Sequence, residues 1–488
     1  MILILAIAVF FRLWQIGTIP PGLYPDEAMN GNNALEALHT GEYKVFYPEN
    51  NGREGLYINI VALSLKIFGN EPWALRLVSA LFGILTVLGL YFLTKELFKK
   101  ESIALFASFF LAASFWHIMF SRIGFRAIMA PAFLVWSLFF LFLALRKNNF
   151  TYSILSGLLF GLGFHSYIAY RAAPLLLIPS FLVFLKRKSF KPILIFLIAA
   201  FIAVLPLLIF FAQNPQDFLG RTSQISVFSS DNPVLDLAKN TLKTIGMFFW
   251  QGDFNWRHNY AGAPELWWPV AILFLIGIII SIKNLPARNA SHSDAGGRVT
   301  RYSLLVTWFV VMLLPVVISN EGLPHALRAI IVAPVAMIFA ALGLDWLIEK
   351  IRKWLNLQII KYPESVKQLL RIKKEAVALL FVFFTVIIIH TFIFYFFEWA
   401  YNSNTQGAFN SLDVEKARYL NSLPKDTPKY VIIQAGGVDV RGIPMPSQTV
   451  MFITKTFLPE WQKEKNIHYI FPEEENNVPE NAKRVWIR

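Results

Sequence analysis

Residues 1–33 read MILILAIAVFFRLWQIGTIPPGLYPDEAMNGNN. An unbroken apolar run gives way to prolines, two adjacent carboxylates and three asparagines. An apolar start of this kind could be a cleaved leader, with Ala6-Ile7-Ala8 as the cleavage site. It lacks a basic beginning, however, and Arg12-Leu13-Trp14 has the composition of an interfacial anchor, so we read it as a retained first membrane span. The decamer Tyr24-Pro25-Asp26-Glu27-Ala28-Met29-Asn30-Gly31-Asn32-Asn33 must then lie in water or in a polar cavity, because lipid does not tolerate such side chains.

The rest of the chain repeats that apolar theme. Its 488 residues are 56% hydrophobic, with 46 Phe and a mean hydropathy of +0.51, which excludes a soluble domain and predicts a polytopic α-helical membrane protein. Apolar runs bounded by polar or basic residues place about eleven spans, at 2–17, 72–94, 102–120, 126–145, 151–169, 172–185, 191–212, 265–282, 302–318, 327–348 and 376–398. The net charge of +14 would suggest nucleic acid in a soluble protein, but here Lys and Arg gather in the gaps between spans. With the N-terminus cytoplasmic, the cytoplasmic gaps hold 21 of these residues against ten in the opposite gaps before residue 400. That bias puts Asp26 outside the cytoplasm and needs no nucleic-acid partner. Cysteine is absent, which removes disulfides, thiol catalysis and thiolate metal sites.

Two long loops fall on the external side, at 18–71 and 213–264. Within the first, Leu56 to Phe68 is apolar but too short to span, and is read as a helix lying at the interface and roofing a cavity. A transmembrane domain over 1–399 is followed by a change of character at 400–488. There, Asp413 to Leu423 has helical periodicity, while Tyr430 to Ile433 and His468 to Phe471 read as buried strands of a small external α/β module. Gly436-Gly437-Val438-Asp439 lacks dinucleotide-binding spacing and is read as a turn.

Asp26 is the candidate catalytic base, although an Asp behind Pro25 is also an ordinary helix cap. Five more polar clusters share its side: Asn51 to Gly55, with Arg53 and Glu54; the two turns Phe120 to Arg126 and His165 to Arg171, with Arg122, Arg126 and Arg171; Gln251 to Asn259, with Arg257 and His258; and Glu321 to Arg328. A single arginine at a helix end is most simply explained by snorkelling to headgroups. A ring of Arg and His facing two carboxylates is what a lipid-linked phosphate beside a general base requires. His117 and His390 sit within spans and are read as packed core histidines. No Walker loop, Gly-x-Ser-x-Gly, His-Glu-x-x-His or Asp-x-Asp pattern is present.

Pro25-Asp26-Glu27 in the first loop, Arg53 ahead of an apolar helix ending Leu65-Lys66-Ile67-Phe68-Gly69, and Ala74-Leu75-Arg76-Leu77 opening the second span together resemble the membrane glycosyltransferases of the C superfamily. Within it, the likeness is to family 39, the protein O-mannosyltransferase and aminoarabinose transferase group. It runs from residue 1 to about 350 and is strongest over 20–90. Tyr167 to Pro174, Gly252 to Asn259 and Pro324 to Arg328 also look like pieces of bacterial members.

The resemblance implies an inverting transfer of a sugar from a polyprenyl-phosphate carrier to an external glycan, lipid or protein acceptor, by a multi-pass protein of the plasma (inner) membrane with its C-terminus extracytoplasmic. Asp26 would take the acceptor's proton, and Glu27 would hold the loop or share proton traffic. Arg53, Glu54, Arg122, Arg126, Arg171, Arg257, His258 and Arg328 would contact the donor phosphate or sugar. Arg53-Glu54-Gly55 departs from the Lys-Pro-Pro of aminoarabinose transferases at this point. Some members hold a metal; Asp26, Glu27 and His258 are too few to argue coordination, so no cofactor or metal is assigned and a divalent ion is left open. A transporter or lipid flippase is the alternative, disfavoured because no inverted repeat or pair of broken spans is visible. A non-catalytic scaffold presenting the C-terminal module is a second.

Overall fold

The computed structural model describes residues 1–178, 190–218, 226–285, 295–361 and 366–488, with the backbone alone at 295–300 and 366–370. Its first eight helices are α1 (Ile2–Leu13), α2 (Pro25–Thr40), α3 (Gly55–Phe68), α4 (Pro72–Phe98), α5 (Glu101–Ala112), α6 (Phe115–Arg122), α7 (Met129–Lys147) and α8 (Phe150–Gly163). Among the described residues five helices are long and apolar enough to cross a bilayer: Pro72–Phe98, Arg126–Lys147, Lys191–Gln213, Ile330–Lys361 and Arg371–Trp399. The α5–α6 pair, bent by 56°, makes a sixth. The expected spans at 2–17, 151–169, 265–282 and 302–318 appear as shorter apolar helices, Ile2–Leu13, Phe150–Gly163, Trp268–Lys283 and Arg301–Val317. Parts of the expected span at 172–185 and of the loop at 284–300 lie outside the described residues.

The bend has a local cause. Ser114 caps α6 by accepting from the His117 N–H at 3.3 Å, so α5 must end and leave carbonyls without helical partners. The buried Arg12 guanidinium takes those of Ala112 (3.1 Å) and Leu111 (3.3 Å), and the Thr391 hydroxyl takes that of Ala113 at 2.8 Å. Arg12 also meets His117 Nδ1 at 2.8 Å, so His117 is a hydrogen-bonded core residue. His390 instead packs flat between Trp267 and Phe394, with ring centroids 4.6 and 5.5 Å away.

At the end of the helices that carries the first loop, α3 lies where the apolar stretch in that loop was expected to form an interfacial helix. It packs between α2 and α4 and leaves Leu63, Ile67 and Phe68 exposed. The C-terminal module is built on a three-stranded parallel sheet with order β6-β3-β7, from β3 (Lys429–Ile433), β6 (Ile467–Ile470) and β7 (Lys483–Ile487). Val431 pairs with both Tyr469 and Val485. The third strand, Lys483–Ile487, is an addition to the sequence reading, its apolar alternation being only Val485 and Ile487. Gly436-Gly437-Val438 leads into a short hairpin of β4 (Asp439–Val440) and β5 (Ile443–Pro444).

This module is docked on the first loop. Gln448 accepts from Asn32 at 2.9 Å, Thr449 donates to the Leu23 carbonyl at 2.9 Å, and the Phe452 carbonyl accepts from Asn70 at 2.7 Å. Gly31 makes the approach possible: a Cβ there would stand 2.3 Å from the Phe452 ring.

Candidate active site

The helix α2 starts at Pro25, whose missing N–H costs nothing in the first turn, and Tyr24 precedes it in extended conformation. Asp26 is half-buried, and its Oδ1 accepts a hydrogen bond from the Asn50 amide. The Tyr24 phenol lies beside Asp26, and burial together with that carboxylate's charge pushes the phenol up, so it stays protonated. Asn50 is brought there by the hairpin of β1 (Phe46–Tyr47) and β2 (Arg53–Glu54), whose loop puts Asn50, Asn51 and Gly52 at φ of 51°, 62° and 79°. Asn and Gly are the residues that adopt this left-handed region at least cost.

The Asn-rich end of the decamer grips Arg53. Asn30 and Asn33, one helical turn apart, accept from its two terminal nitrogens, Asn30 at 2.8 Å. Burial and the charge of Arg126 pull the Arg53 guanidinium down to about 10, so it remains a cation at neutral pH. Glu54 is buried behind it, meeting Arg126 Nε at 2.7 Å and Arg171 Nη2 at 3.9 Å. Arg171 stacks on Phe218 at 4.5 Å from the ring centroid. Arg328 is held by Glu321, at 2.6 Å, and by Ser319.

Arg257 comes from a loop shaped by two side-chain turns. Asp253 Oδ1 accepts from the Asn255 N–H at 2.8 Å, and Asn255 Oδ1 from the Arg257 N–H at 3.0 Å. Its guanidinium lies 4.0 Å from the centroid of the Tyr24 ring, and among the described residues its Nε has no hydrogen-bond partner. Next to it, His258 Nδ1 is 2.9 Å from Asp253 Oδ2, and His325 Nδ1 is 3.8 Å from the same oxygen. Asp253, His258 and His325 form a nitrogen and oxygen donor set able to hold a metal ion.

These groups converge on one cavity of about 350 Å³ at the end of the helices that carries the first loop. Its walls include Asp26, Arg53, Glu54, Arg126, Arg171, Arg257, His258 and Arg328, drawn from all six polar segments singled out in the sequence. Two expected residues do not line it: Glu27, expected to hold the loop or share proton traffic, and Arg122, expected to contact the donor. Glu27 is fully buried in a bidentate pair with Arg76, at 2.9 and 3.2 Å, and also accepts from the Gly124 N–H at 2.8 Å. Its partners hold the loop, and it does not line the cavity. Arg122 is fully buried and spends its guanidinium on the carbonyls of Phe11 (2.9 Å), Trp14 (2.8 Å) and Ile19 (2.7 Å). It ties the end of α1 to α6, because irregular backbone leaving a span needs donors for its carbonyls.

The sequence reading passed over Tyr24, Asn50, Arg76, Asp253 and His325 as individuals. His325 and Asp253 stood inside quoted polar clusters, and their Asp-and-His composition was the available signal; nothing local marks Asn50.

By sequence, residues 56–210 match the family model described as dolichyl-phosphate-mannose-protein mannosyltransferase, and no curated protein matches the chain. Among solved structures, ArnT from Cupriavidus metallidurans bound to undecaprenyl phosphate has a TM-score of 0.59 at 13% identity, over 99% of this chain and 89% of that one. The archaeal oligosaccharyltransferase AglB from Archaeoglobus fulgidus, in complex with an inhibitory peptide and a dolichol-phosphate, has a TM-score of 0.52 at 16% identity. That match covers 98% of this chain and 65% of AglB. This multi-pass membrane protein is therefore similar, over 56–210 by sequence and over nearly its whole length by fold, to the C-superfamily membrane glycosyltransferases and to family 39 among them.

Proposed function

We propose that the chain is an inverting glycosyltransferase that moves a sugar from a polyprenyl-phosphate carrier to an extracytoplasmic acceptor. The observation that carries this reading is the placement of Tyr24 beside both Asp26 and Arg257: its phenol feels the carboxylate's charge and its ring supports a guanidinium whose Nε has no hydrogen-bond partner among the described residues, all in the same cavity.

In the reaction, Asp26 accepts the proton of an acceptor hydroxyl as its oxygen attacks the anomeric carbon. The bond from that carbon to the phosphate oxygen breaks, its electron pair leaves with the phosphate, and a single displacement inverts the configuration. The departing phosphate needs positive charge more than a proton. Arg257 is best suited to give it, because Arg126, Arg171 and Arg328 already face Glu54 or Glu321. Arg53 has its fork on two asparagines and adds charge from the wall. A donor with an isoprenoid tail must keep that tail in lipid while its sugar reaches water, which suits a cavity roofed by α2 and α3 at the bilayer boundary. The sugar, hexose or pentose, and the acceptor are choices for the same experiment.

That experiment offers a panel of polyprenyl-phosphate sugars to the purified full chain and to Asp26→Asn. The expected result is transfer from one donor with inversion at the anomeric carbon, and a turnover loss of about 10²–10⁴-fold in the variant with donor binding kept. Equal turnover by Asp26→Asn removes the assignment of the base.

A further inference from the structure

The C-terminal module sends one side chain to the loop that walls the cavity. Strands β4 and β5 are joined by Arg441 and Gly442, a two-residue turn with φ of 56° and 83°, in which the Gly442 N–H donates to Asp439 Oδ1 at 3.0 Å. Glycine suits that left-handed region, but an arginine in it is strained. Asparagine or aspartate fills the first position of such a turn at less cost, so the turn itself does not account for Arg441.

Its contacts do. The two terminal nitrogens donate to Glu36 Oε1 and Oε2, each at 2.9 Å, and Nη2 also donates to Glu49 Oε1 at 2.8 Å. The guanidinium lies 4.7 Å from the centroid of the Phe457 ring, which limits its freedom further. A solvent-facing ion pair usually contributes little, but a bidentate fork shared by two carboxylates and backed by a ring is better ordered than most. Glu36 belongs to α2, whereas Glu49 stands in the loop between β1 and β2.

That loop feeds the site. The Glu49 carbonyl accepts from the Gly52 N–H at 3.3 Å and from Arg53 Nε at 3.4 Å, and the adjacent Asn50 amide donates to Asp26. Asn50, Asn51 and Gly52 line the cavity, all three in the left-handed region, and such a run keeps its shape only when its surroundings hold it. The module has other means of docking, since Val440 and Phe452 share one apolar cluster with Leu23 and Met29 of the first loop.

We propose that Arg441 is a positioning residue: held by its turn, by Phe457 and by Glu36, it pins Glu49 and so sets Asn50 against Asp26. The C-terminal module thereby completes the site, although among the described residues none of its own lines the cavity. The effect on turnover rests on Asp26 being the base; the pinning of the loop does not.

The test compares the purified full chain in detergent with Arg441→Ala, Glu49→Ala and Glu36→Ala, with melting temperature as the control for folding. Each glutamate variant takes one carboxylate from Arg441, but only Glu49 belongs to the loop of Asn50. Hydrogen exchange of the amides at 49–53 should quicken by about threefold or more in Arg441→Ala and Glu49→Ala, and by less than about twofold in Glu36→Ala. With the polyprenyl-phosphate sugar that the unsubstituted chain turns over, Arg441→Ala and Glu49→Ala should lower kcat by about three- to tenfold at unchanged donor KM, with Glu36→Ala close to the original rate. Unchanged exchange at 49–53 in Arg441→Ala, or equal effects of Glu49→Ala and Glu36→Ala, overturns the proposal, as does an unchanged kcat in Arg441→Ala where Asp26→Asn is inactive. Full turnover by Asp26→Asn beside quickened exchange in Arg441→Ala removes the base and leaves the pinned loop standing.

Discussion

Arg257→Ala separates a cation available to substrate from cations already engaged by the protein. The Arg257 guanidinium sits 4.0 Å over the Tyr24 ring with its Nε unpartnered among the described residues, while Arg126 meets Glu54 at 2.7 Å. At about 4 Å and an effective dielectric near 20, one unit charge on another is worth about 4 kcal/mol. Loss of a single group that stabilises developing charge typically costs about 10²–10³ in turnover, or about 3–4 kcal/mol. We therefore expect Arg257→Ala to lower kcat by about 10²–10³-fold. Arg257→Lys keeps the charge but loses the planar stacking and the second donor, so it should recover about a tenth of the original rate. The assay is release of polyprenyl phosphate under saturating donor, with kcat and KM resolved separately and melting temperature as the control for folding. The contrast is Arg126→Ala, which leaves Glu54 with Arg171 and should act mainly on KM and stability. If Arg257→Ala keeps more than a third of kcat while Arg126→Ala loses a hundredfold, the division between available and engaged arginines is wrong.

Other parts of the site give sharp expectations. Arg76→Met leaves Glu27 charged and buried, so it should cost about 3–5 kcal/mol of stability, seen as a large fall in melting temperature; an unchanged melt would contradict the holding role of Glu27. Arg122→Ala removes three donors to loop carbonyls and should likewise destabilise, but donor KM in the folded fraction should not move, which a contact with donor phosphate would not permit. Arg441 pairs with Glu36 at 2.9 Å and Glu49 at 2.8 Å, next to Asn50, so Arg441→Ala should lower kcat several-fold, with partial rescue by Arg441→Lys. Although burial pushes the Glu49 carboxyl up, hydrogen bonds from Arg441 and from backbone outweigh it and hold the group below its ordinary value. Its contribution to docking is thus full above about pH 4.3 and is lost as pH falls through the lowered folded value. Proteolysis at the junction near residue 400 should therefore rise in acid, and earlier in Arg441→Ala.

Hydrophobic periodicity and the placement of Lys and Arg were enough to identify a polytopic helical protein and to gather the polar clusters on one side. Those properties are local sums, with apolar length setting what can cross lipid and loop charge setting the expected orientation. The convergence of Asp26 with Arg53, Arg126, Arg171, Arg257 and Arg328 followed from sidedness, because few turns share one small end of a bundle. What the side chains do there was decided by tertiary structure. Glu27 and Asp26 are neighbours in sequence, yet successive residues on a helix point about 100° apart, so one enters the core to meet Arg76 and the other faces the cavity. Arg122 and Arg126 share a turn, but only the first lies under α1, where orphan carbonyls demand donors. The pairing of His258 with His325 across more than sixty residues, and the reach of Arg441 to Glu36 and Glu49, depend on loops meeting in space. No local pattern encodes such a meeting, since the burial and hydrogen bonding that select it exist only once the chain is packed.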